Sequence, residues 1–438
     1  MLNRSLITYA STFCLLLAVS SPSLAESVGQ TANQSSSSSS SAATSSDVQQ
    51  YVSGINPPPA TPTKTSKKNS RFGLGTKSRI QINGFLSAGA SQTTTKTNYS
   101  IPGHGSVNNE TNYMANSLIG AQITANMTHD LAAVLQLLAN GNDTDGNKPY
   151  RVQAEWAFLR YSPSPAVQLR AGRFRIPALL YSDTEEVGYT YPWVTLPNEV
   201  YRILPFNDMN GVDMIYSHAL GDGNWVIKSE PYVGTNQSQY DLYTNAPDLI
   251  PAGTTATFNE NDVLGDVVSI SNQYVTLRGD YTRANLTGYI PALSAIDGAT
   301  LPLFNNQEAS FYSLGSKLDY HHLLLVGEYA HRDAPAHIAD LTGYYGMVGY
   351  RLGKLLPNFT YARIKTSNTT ALETTPFAEL PESQRSYTLG ADYYINHNLV
   401  AKVGISEITP LDGTDGLFEG PVGHTPVYLY SASLDVIF

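Results

Sequence analysis

Apolar and polar side chains alternate in repeated segments from about residue 78 to the last residue. In the first segment, 79–90, Ile80, Ile82 and Leu86 fall on one face, and Gln81 and Ser87 fall on the other. Because successive side chains of a β-strand point to opposite faces, this period of two predicts strands with one apolar and one polar face. No segment approaches the roughly 18 unbroken apolar residues of a membrane-spanning helix.

Sixteen segments of this kind follow one another along the chain. They are 79–90, 117–128, 131–139, 151–161, 166–175, 212–217, 225–233, 263–271, 273–282, 309–320, 323–332, 341–353, 356–366, 385–396, 398–408 and 428–438. Short turns between them alternate with longer connections. The longer ones are 91–116, 141–150, 176–209, 235–262, 283–308, 333–340, 366–384 and 409–425.

This rhythm of connections separates the possible all-β architectures. A soluble sheet can show the same alternation of side chains, but a β-helix or a propeller would not give a strict order of short and long connections. Transmembrane barrels have short turns on the periplasmic side and long loops outside. We therefore predict a transmembrane antiparallel β-barrel of 16 strands, with both ends of the barrel on the periplasmic side.

A barrel of this size is expected to hold water. Eight strands are filled by side chains, whereas about 16–18 strands leave an aqueous channel. The alternation places charged residues on the inner face, away from lipid, where a base would cost about 2–4 kcal/mol. They are Arg79, Arg151, Arg170, Lys228, Arg278, Lys317, Arg351, Lys402, Glu155, Asp213, Glu230, Asp280, Asp319, Glu328, Asp392 and Asp435. Within 151–161 the same alternation places Trp156 and Phe158 on the outer face.

The composition supports this architecture. Only 14% of the residues are charged, yet the mean hydropathy is −0.20, so hydroxyl, amide and tyrosine side chains supply the polarity. A soluble enzyme usually carries about 25% charge. Tyrosine (29) outnumbers phenylalanine (13), as expected for amphipathic aromatics at the edges of a lipid-facing band.

The first 77 residues differ from the rest. Residues 1–25 combine Arg4, a mostly apolar run and the small residues Ser23 and Ala25, which is the pattern of a cleaved signal peptide. Residues 26–77 are rich in Ser and Pro and poor in large apolar side chains, which predicts a disordered periplasmic linker. The barrel domain would then be 78–438. The only cysteine, Cys14, lies in the predicted signal, so the mature chain would have no thiol chemistry.

Charge and motif content exclude several function classes. The formal net charge of −10 argues against a nucleic-acid partner. The nine histidines show no metal-ligand spacing, and no nucleophilic serine motif is visible. We therefore predict no metal, no cofactor and no enzymatic activity.

Three stretches carry a family resemblance. They are Arg170-Ala-Gly-Arg-Phe-Arg-Ile-Pro177, Gly343-Tyr-Tyr-Gly-Met-Val-Gly-Tyr-Arg-Leu-Gly353 and the terminal Phe438. With them, residues 78–438 resemble a Gram-negative outer-membrane porin of the sixteen-stranded, trimeric type. The resemblance implies a homotrimer in the outer membrane, contact with its lipid and lipopolysaccharide, and a terminal Phe438 that the barrel-assembly machinery reads. It also implies that the third long loop folds inward and narrows the channel.

The third long connection, 176–209, is unusual in two respects. It is rich in aromatic residues, so we expect it to pack against the wall. It also carries the acids that we predict at a constriction, namely Asp183, Glu185, Glu186, Glu199 and Asp208. The bases predicted on the pore wall are Arg170, Arg173, Arg175, Arg278 and Arg351, although parity puts only Arg170 clearly inward among the first three.

Two interpretations of these charges remain open. Acids on the loop facing bases on the wall would create a transverse field, and charged side chains set ion selectivity in pores. Alternatively, the arginines fix the loop's carboxylates in place and have no role in selectivity.

The leading functional prediction is a water-filled channel for passive diffusion of small hydrophilic solutes and ions. A substrate-specific channel of the same barrel type, for sugars or organic acids, is the alternative. An outer-membrane enzyme and an adhesin are further alternatives from other classes. Single-channel conductance separates the two channel functions from these.

Overall fold

The computed structural model describes residues 79–101, 103–141, 149–204, 206–221, 223–242, 254–291, 302–375 and 377–438. The predicted signal peptide 1–25 and linker 26–77 lie outside the described residues. The strands are β1 (Ile80–Thr93), β2 (Tyr99–Ile101), β3 (Gly105–Val107), β4 (Leu118–Asn126), β5 (Leu131–Asn140), β6 (Val152–Ser164), β7 (Val167–Arg175), β8 (Asp208–Leu220), β9 (Trp225–Leu242), β10 (Thr254–Ser271), β11 (Val275–Tyr289), β12 (Phe304–Tyr320), β13 (Leu323–Asp333), β14 (Leu341–Tyr350), β15 (Leu355–Thr366), β16 (Ser383–Asn396), β17 (Leu399–Pro410) and β18 (Val427–Ile437).

Sixteen of these strands form one closed antiparallel barrel, as predicted. From β4 to β18 each strand pairs with the next in sequence, and β1 closes the ring by pairing with both β4 and β18. Strands β2 and β3 form a separate hairpin within the first long connection, which the alternation of side chains did not predict. Within the described residues, two short α-helices, Asn198–Tyr201 and Thr369–Thr374, lie in connections.

The wall has one buried and one exposed face. In β14, Leu341, Tyr345 and Met347 are buried, whereas the alternate residues Tyr344 and Val348 are exposed. The exposed outer face is apolar and aromatic, as the alternation predicted. Within the described part of the chain, no helix has the length and apolar character needed to cross a membrane.

The prediction for Trp156 and Phe158 is wrong. Both side chains are buried, at 2% and 4% exposure, and face inward. The pairing of β5 with β6 shifts after Gln136, because Trp156 faces Gln136 but Ala154 faces the next residue and Glu155 is skipped. Such a β-bulge adds one residue to a strand and reverses the parity of the faces beyond it.

Strands extend into two of the predicted loops. Strand β9 continues to Leu242 and β10 begins at Thr254, so much of 235–262 belongs to a long hairpin; β11 and β12 extend into 283–308 in the same way. In the extension of β9, residues 235–239 carry Thr, Asn, Gln and Ser on both faces. A strand that is polar on both sides has no hydrophobic period, so the pattern could not reveal it.

Candidate functional site: the third long loop and the barrel wall

The connection between β7 and β8, residues 176–207, is called the third loop below. It contains two turns of 3₁₀-helix, Ser182–Thr184 and Gly188–Thr190, and the short helix Asn198–Tyr201. Its apolar side chains are buried; Ile176, Val200 and Ile203 have no exposed surface. The loop therefore packs as a folded element, which is what its aromatic composition predicted.

The start of the third loop is bonded to β11, β12 and β13. Arg278 donates to the carbonyl oxygen of Pro177. The Ser313 hydroxyl donates to the Ala178 carbonyl at 2.6 Å, and the Leu180 N–H donates to the Glu328 carboxylate at 2.6 Å. Tyr201 of the loop's helix also donates to Glu328, at 2.8 Å. A buried carboxylate of the wall thus joins the two ends of the loop.

The middle of the loop is bonded to β15 and β17, further along the wall. The Lys402 ammonium of β17 donates to the carbonyl oxygens of Gly188, of Tyr191 at 2.7 Å and of Trp193 at 3.0 Å. The Trp193 indole N–H donates to the Thr360 hydroxyl of β15 at 2.8 Å. Because partners on β11 to β18 all face inward, one segment can reach them together only from inside the barrel.

Two of the predicted constriction acids gather around one arginine. Arg175, at the end of β7, lies 2.9 Å from Glu185, 3.0 Å from Glu186 and 3.3 Å from Glu155. Its side chain is only 5% exposed. Three carboxylates share a single guanidinium here. Burial and the neighbouring carboxylates raise the pKa of Glu185 to about 7, and Arg175 opposes that rise.

The other predicted acids lie elsewhere. Asp183 is half-buried in the first 3₁₀ turn. Glu199, in the helix Asn198–Tyr201, accepts a hydrogen bond from the Gln384 amide of β16 at 2.9 Å. Asp208 is the first residue of β8 and pairs with Arg173. The five acids are therefore not one cluster.

The predicted wall bases also have partners. Arg170 is buried beside Asp213, at 2.8 Å, and Glu230, at 2.6 Å. Arg351 pairs with Asp319 at 2.6 Å, at the end of the barrel that carries the short turns. Arg278 also has a partner, the Pro177 carbonyl oxygen. These arginines therefore hold the loop and the wall in place and do not form a row of unpaired bases along the channel.

A cavity that the pattern of side chains did not predict borders the third loop. It has a volume of about 60 Å³ and lies between residues 192–199 of the third loop and the inner faces of β15 to β18. A cavity of roughly 10–15 Å³ holds one water molecule, so this one has room for several. The signal in the sequence is the small size of the inward residues on β16 to β18. They include Thr388, Gly390, Gly404, Ser406 and Ser431.

Together, these features define a class of protein. A closed 16-stranded barrel with an apolar outer face, and a long loop bonded to its inner wall, is the architecture of a membrane-embedded channel. The sequence profile of the Gram-negative porins matches residues 11–410. The chain belongs to this family and is an outer-membrane porin.

Solved structures with a similar fold are distant in sequence. Salmonella typhi OmpF, solved in complex with daunomycin, is 13% identical, with 82% of this chain and 97% of OmpF covered at a TM-score of 0.53. Vibrio cholerae OmpT is 8% identical, with 83% and 99% covered at 0.49. A mutant of the Rh. blastica porin is 12% identical, with 82% and 100% covered at 0.44. None of the curated proteins matches the sequence.

Proposed function

We propose that this porin lets small hydrophilic solutes and ions diffuse passively across the outer membrane. The observation that supports it is the closed barrel of 16 strands, whose inner wall carries charged and hydroxyl side chains. A barrel of 16 strands is wide enough for an aqueous channel. The chain would act by permeation and not by covalent chemistry, as is typical of its family.

Charge selectivity is expected to be weak. Glu185 and Glu186 both contact Arg175, so we infer that these acids fix the loop and do not face passing ions. The transverse-field interpretation requires charges that are free to face the channel. The contacts favour the alternative, in which arginines fix the loop's carboxylates.

Planar-bilayer recordings test both statements. We expect stepwise single-channel currents from the purified protein. In a salt gradient, the reversal potential of Glu185→Gln/Glu186→Gln should match that of the unchanged protein. An absence of conductance would refute the diffusion channel. A clear shift in reversal potential would instead support the transverse-field interpretation.

We further propose a homotrimer. Tyrosines on the outer face, exposed or half-exposed, form a row on consecutive strands β11 to β16: Tyr281, Tyr312, Tyr329, Tyr344, Tyr361 and Tyr387. Aromatic side chains mark the membrane interface in barrels. The outward residues of β1, β4 and β5 are mostly Ile, Leu and Ala, with Gly84 and Gln92 on β1 and no aromatic; examples are Ile82, Ile119 and Leu135. A face without these anchors suits contact with a second copy; native mass spectrometry in detergent showing a monomer would contradict this.

The remaining parts of the proposal concern export and assembly. Residues 1–25 would be removed as a signal peptide, and 26–77 would remain as a periplasmic linker. Phe438 would be read by the barrel-assembly machinery, and the outer face would contact lipid and lipopolysaccharide. N-terminal sequencing of the mature protein tests the cleavage site, and a first residue other than Glu26 would move it.

A further inference from the structure

Three basic side chains lie on the outer face of the barrel, at the end that carries the long loops. Arg363 and Lys365 belong to β15, and Arg385 belongs to β16. Their neighbours in the two strands, Ile364 and Gln384, have no exposed surface and lie on the inner face. Because side chains of a strand alternate between its faces, the three bases point away from the lumen.

Two of these bases face each other directly. The Cα atoms of Arg363 and Arg385 are partners in the pairing of β15 with β16. Side chains at such positions are close neighbours on one face of a sheet, and like charges there destabilise it. Lys365 lies two residues further along β15 on the same face. The register of the two strands therefore concentrates positive charge at one point of the outer rim.

The chain supplies no counter-charge at this point. Among the residues that the structure describes, none of the three bases forms an ion pair or a hydrogen bond. Arg385 lies over the ring of Tyr387, with 5.9 Å between the guanidinium carbon and the ring centroid. Arginines inside the barrel differ, since Arg175, Arg202 and Arg351 each pair with a carboxylate. An arrangement that is unfavourable within the chain points to a partner of negative charge outside it.

The bases lie at the level of lipid headgroups. Tyr344, Tyr361 and Tyr387 adjoin them on the outer face, on the side of the short turns, and Arg363 is the Cα partner of Tyr344. Neighbouring rings are close, with centroids 6.2 Å and 5.2 Å apart. Tyrosines mark the membrane–water interface of a barrel, and apolar residues such as Phe359 continue towards the other end. The three bases are therefore on the water side of this interface.

We propose that Arg363, Arg385 and Lys365 bind a phosphate group of lipid A, the membrane-embedded part of lipopolysaccharide. The proposal rests on the outer-membrane location and specifies the proposed contact with lipopolysaccharide. A guanidinium binds phosphate through two parallel N–H···O bonds. A phosphate between the two facing arginines accepts hydrogen bonds from both, so it replaces their repulsion by a bridge. The acyl chains of the lipid would lie along the apolar face beyond the tyrosines.

Native mass spectrometry of the purified protein in detergent, titrated with bisphosphorylated lipid A, tests the site. The affinity of Arg363→Gln/Arg385→Gln should fall by about tenfold for each arginine removed, because each loses charge-assisted hydrogen bonds. Arg283→Gln/Lys354→Gln is the matched control. It removes the same charge from the outer face of β11 and from the turn before β15, and should bind lipid A like the unchanged protein. Equal affinities of the two double variants would overturn the site.

Two competitors identify the source of the phosphate. Phosphatidylcholine carries a phosphate without net charge, and inorganic phosphate carries charge without acyl chains. We expect neither to displace lipid A when added at the same concentration. Displacement by inorganic phosphate would overturn the proposal, because the bases would then form a site for free anions and not for a lipid.

Thermal unfolding gives an independent test, in which the sign of the effect depends on the lipid. In detergent, with protein refolded in the absence of lipopolysaccharide, Arg363→Gln removes the repulsion and should unfold at a higher temperature than the unchanged protein. With lipid A added, the variant lacks a phosphate ligand and should unfold at the lower temperature of the two. The same order of midpoints under both conditions would refute the phosphate bridge.

Single-channel recordings separate this proposal from the channel function. The conductance of Arg363→Gln/Arg385→Gln should equal that of the unchanged protein, because both side chains lie outside the lumen. Unchanged conductance also establishes that the variant barrel has folded. An absence of current from the unchanged protein would refute the channel function and leave the lipid measurements as they stand.

Discussion

Replacing Lys402 with methionine should release the third loop from the wall. The ammonium of Lys402 is bonded to three loop carbonyls, those of Gly188, Tyr191 and Trp193, and lies 3.1 Å from Asp435. Both charged side chains are almost fully buried, at 1% and 3% exposure. Methionine keeps the length and the apolar part of lysine but offers no donor.

The size of the effect follows from these contacts. A hydrogen bond to a charged group contributes about 1.5–3 kcal/mol. Breaking a buried ion pair costs about 3–5 kcal/mol, because the remaining charge is left uncompensated. Asp435 retains a hydrogen bond from the Ser433 hydroxyl at 3.0 Å, which favours the lower part of that range. A free-energy change of about 1.4 kcal/mol changes an equilibrium population tenfold. A loss of about 3–4 kcal/mol therefore raises the population of the undocked loop roughly a few hundredfold.

Two measurements detect this release. Thermal unfolding in detergent should show a lower midpoint for Lys402→Met, and single-channel recordings should show larger or noisier open currents, because Trp193 borders the cavity. Lys402→Met/Asp435→Asn removes the unpaired carboxylate as well. This double variant should recover part of the stability, but its open currents should stay larger or noisier than those of the unchanged protein. Lys228→Met is the matched control, since Lys228 pairs with Glu230 at 2.5 Å on another part of the wall.

An unchanged midpoint together with an unchanged open-channel current would refute the reasoning. The three carbonyl contacts would then contribute nothing to the position of the loop. A lower midpoint with an unchanged current would limit Lys402 to a role in stability.

Two further predictions concern the same loop. Because the pKa of Glu185 is raised to about 7, protonation stabilises the folded state; the stability is fully present below the carboxyl's unfolded pKa of about 4.3 and is lost as the pH rises through 7. Melting temperatures between pH 4 and 8 should fall with pH in the unchanged protein and less so in Glu185→Gln; equal slopes would contradict this. Gly343→Ala should lower the melting temperature, because a Cβ there overlaps the Glu199 carbonyl oxygen and comes within 2.7 Å of Ile203. Gly346→Ala, on the outward face of the same strand with no atom within 4 Å, should not, and equal losses in both variants would show that the loop contact is unimportant.

The local pattern of side chains was sufficient to predict the barrel. A strand that has lipid on one side and water or protein on the other must alternate, so 16 alternating segments and their connections define the wall. The long loop was also visible, because a connection rich in aromatic residues must bury them. Where this reasoning failed, the chain departed from the repeat of two, as at Glu155, where one extra residue turned Trp156 inward.

The tertiary structure alone decided which charges meet. Arg175 lies next to the loop in sequence and binds its acids, but Lys402 reaches Trp193 across 209 residues, and no local pattern records such a pairing. The cavity likewise exists only because small residues on β16 to β18 face the loop across the barrel. Alternation specifies the face on which a side chain lies. The residue that a side chain meets inside the barrel depends on barrel closure and on the path of the loop, and both are properties of the whole fold.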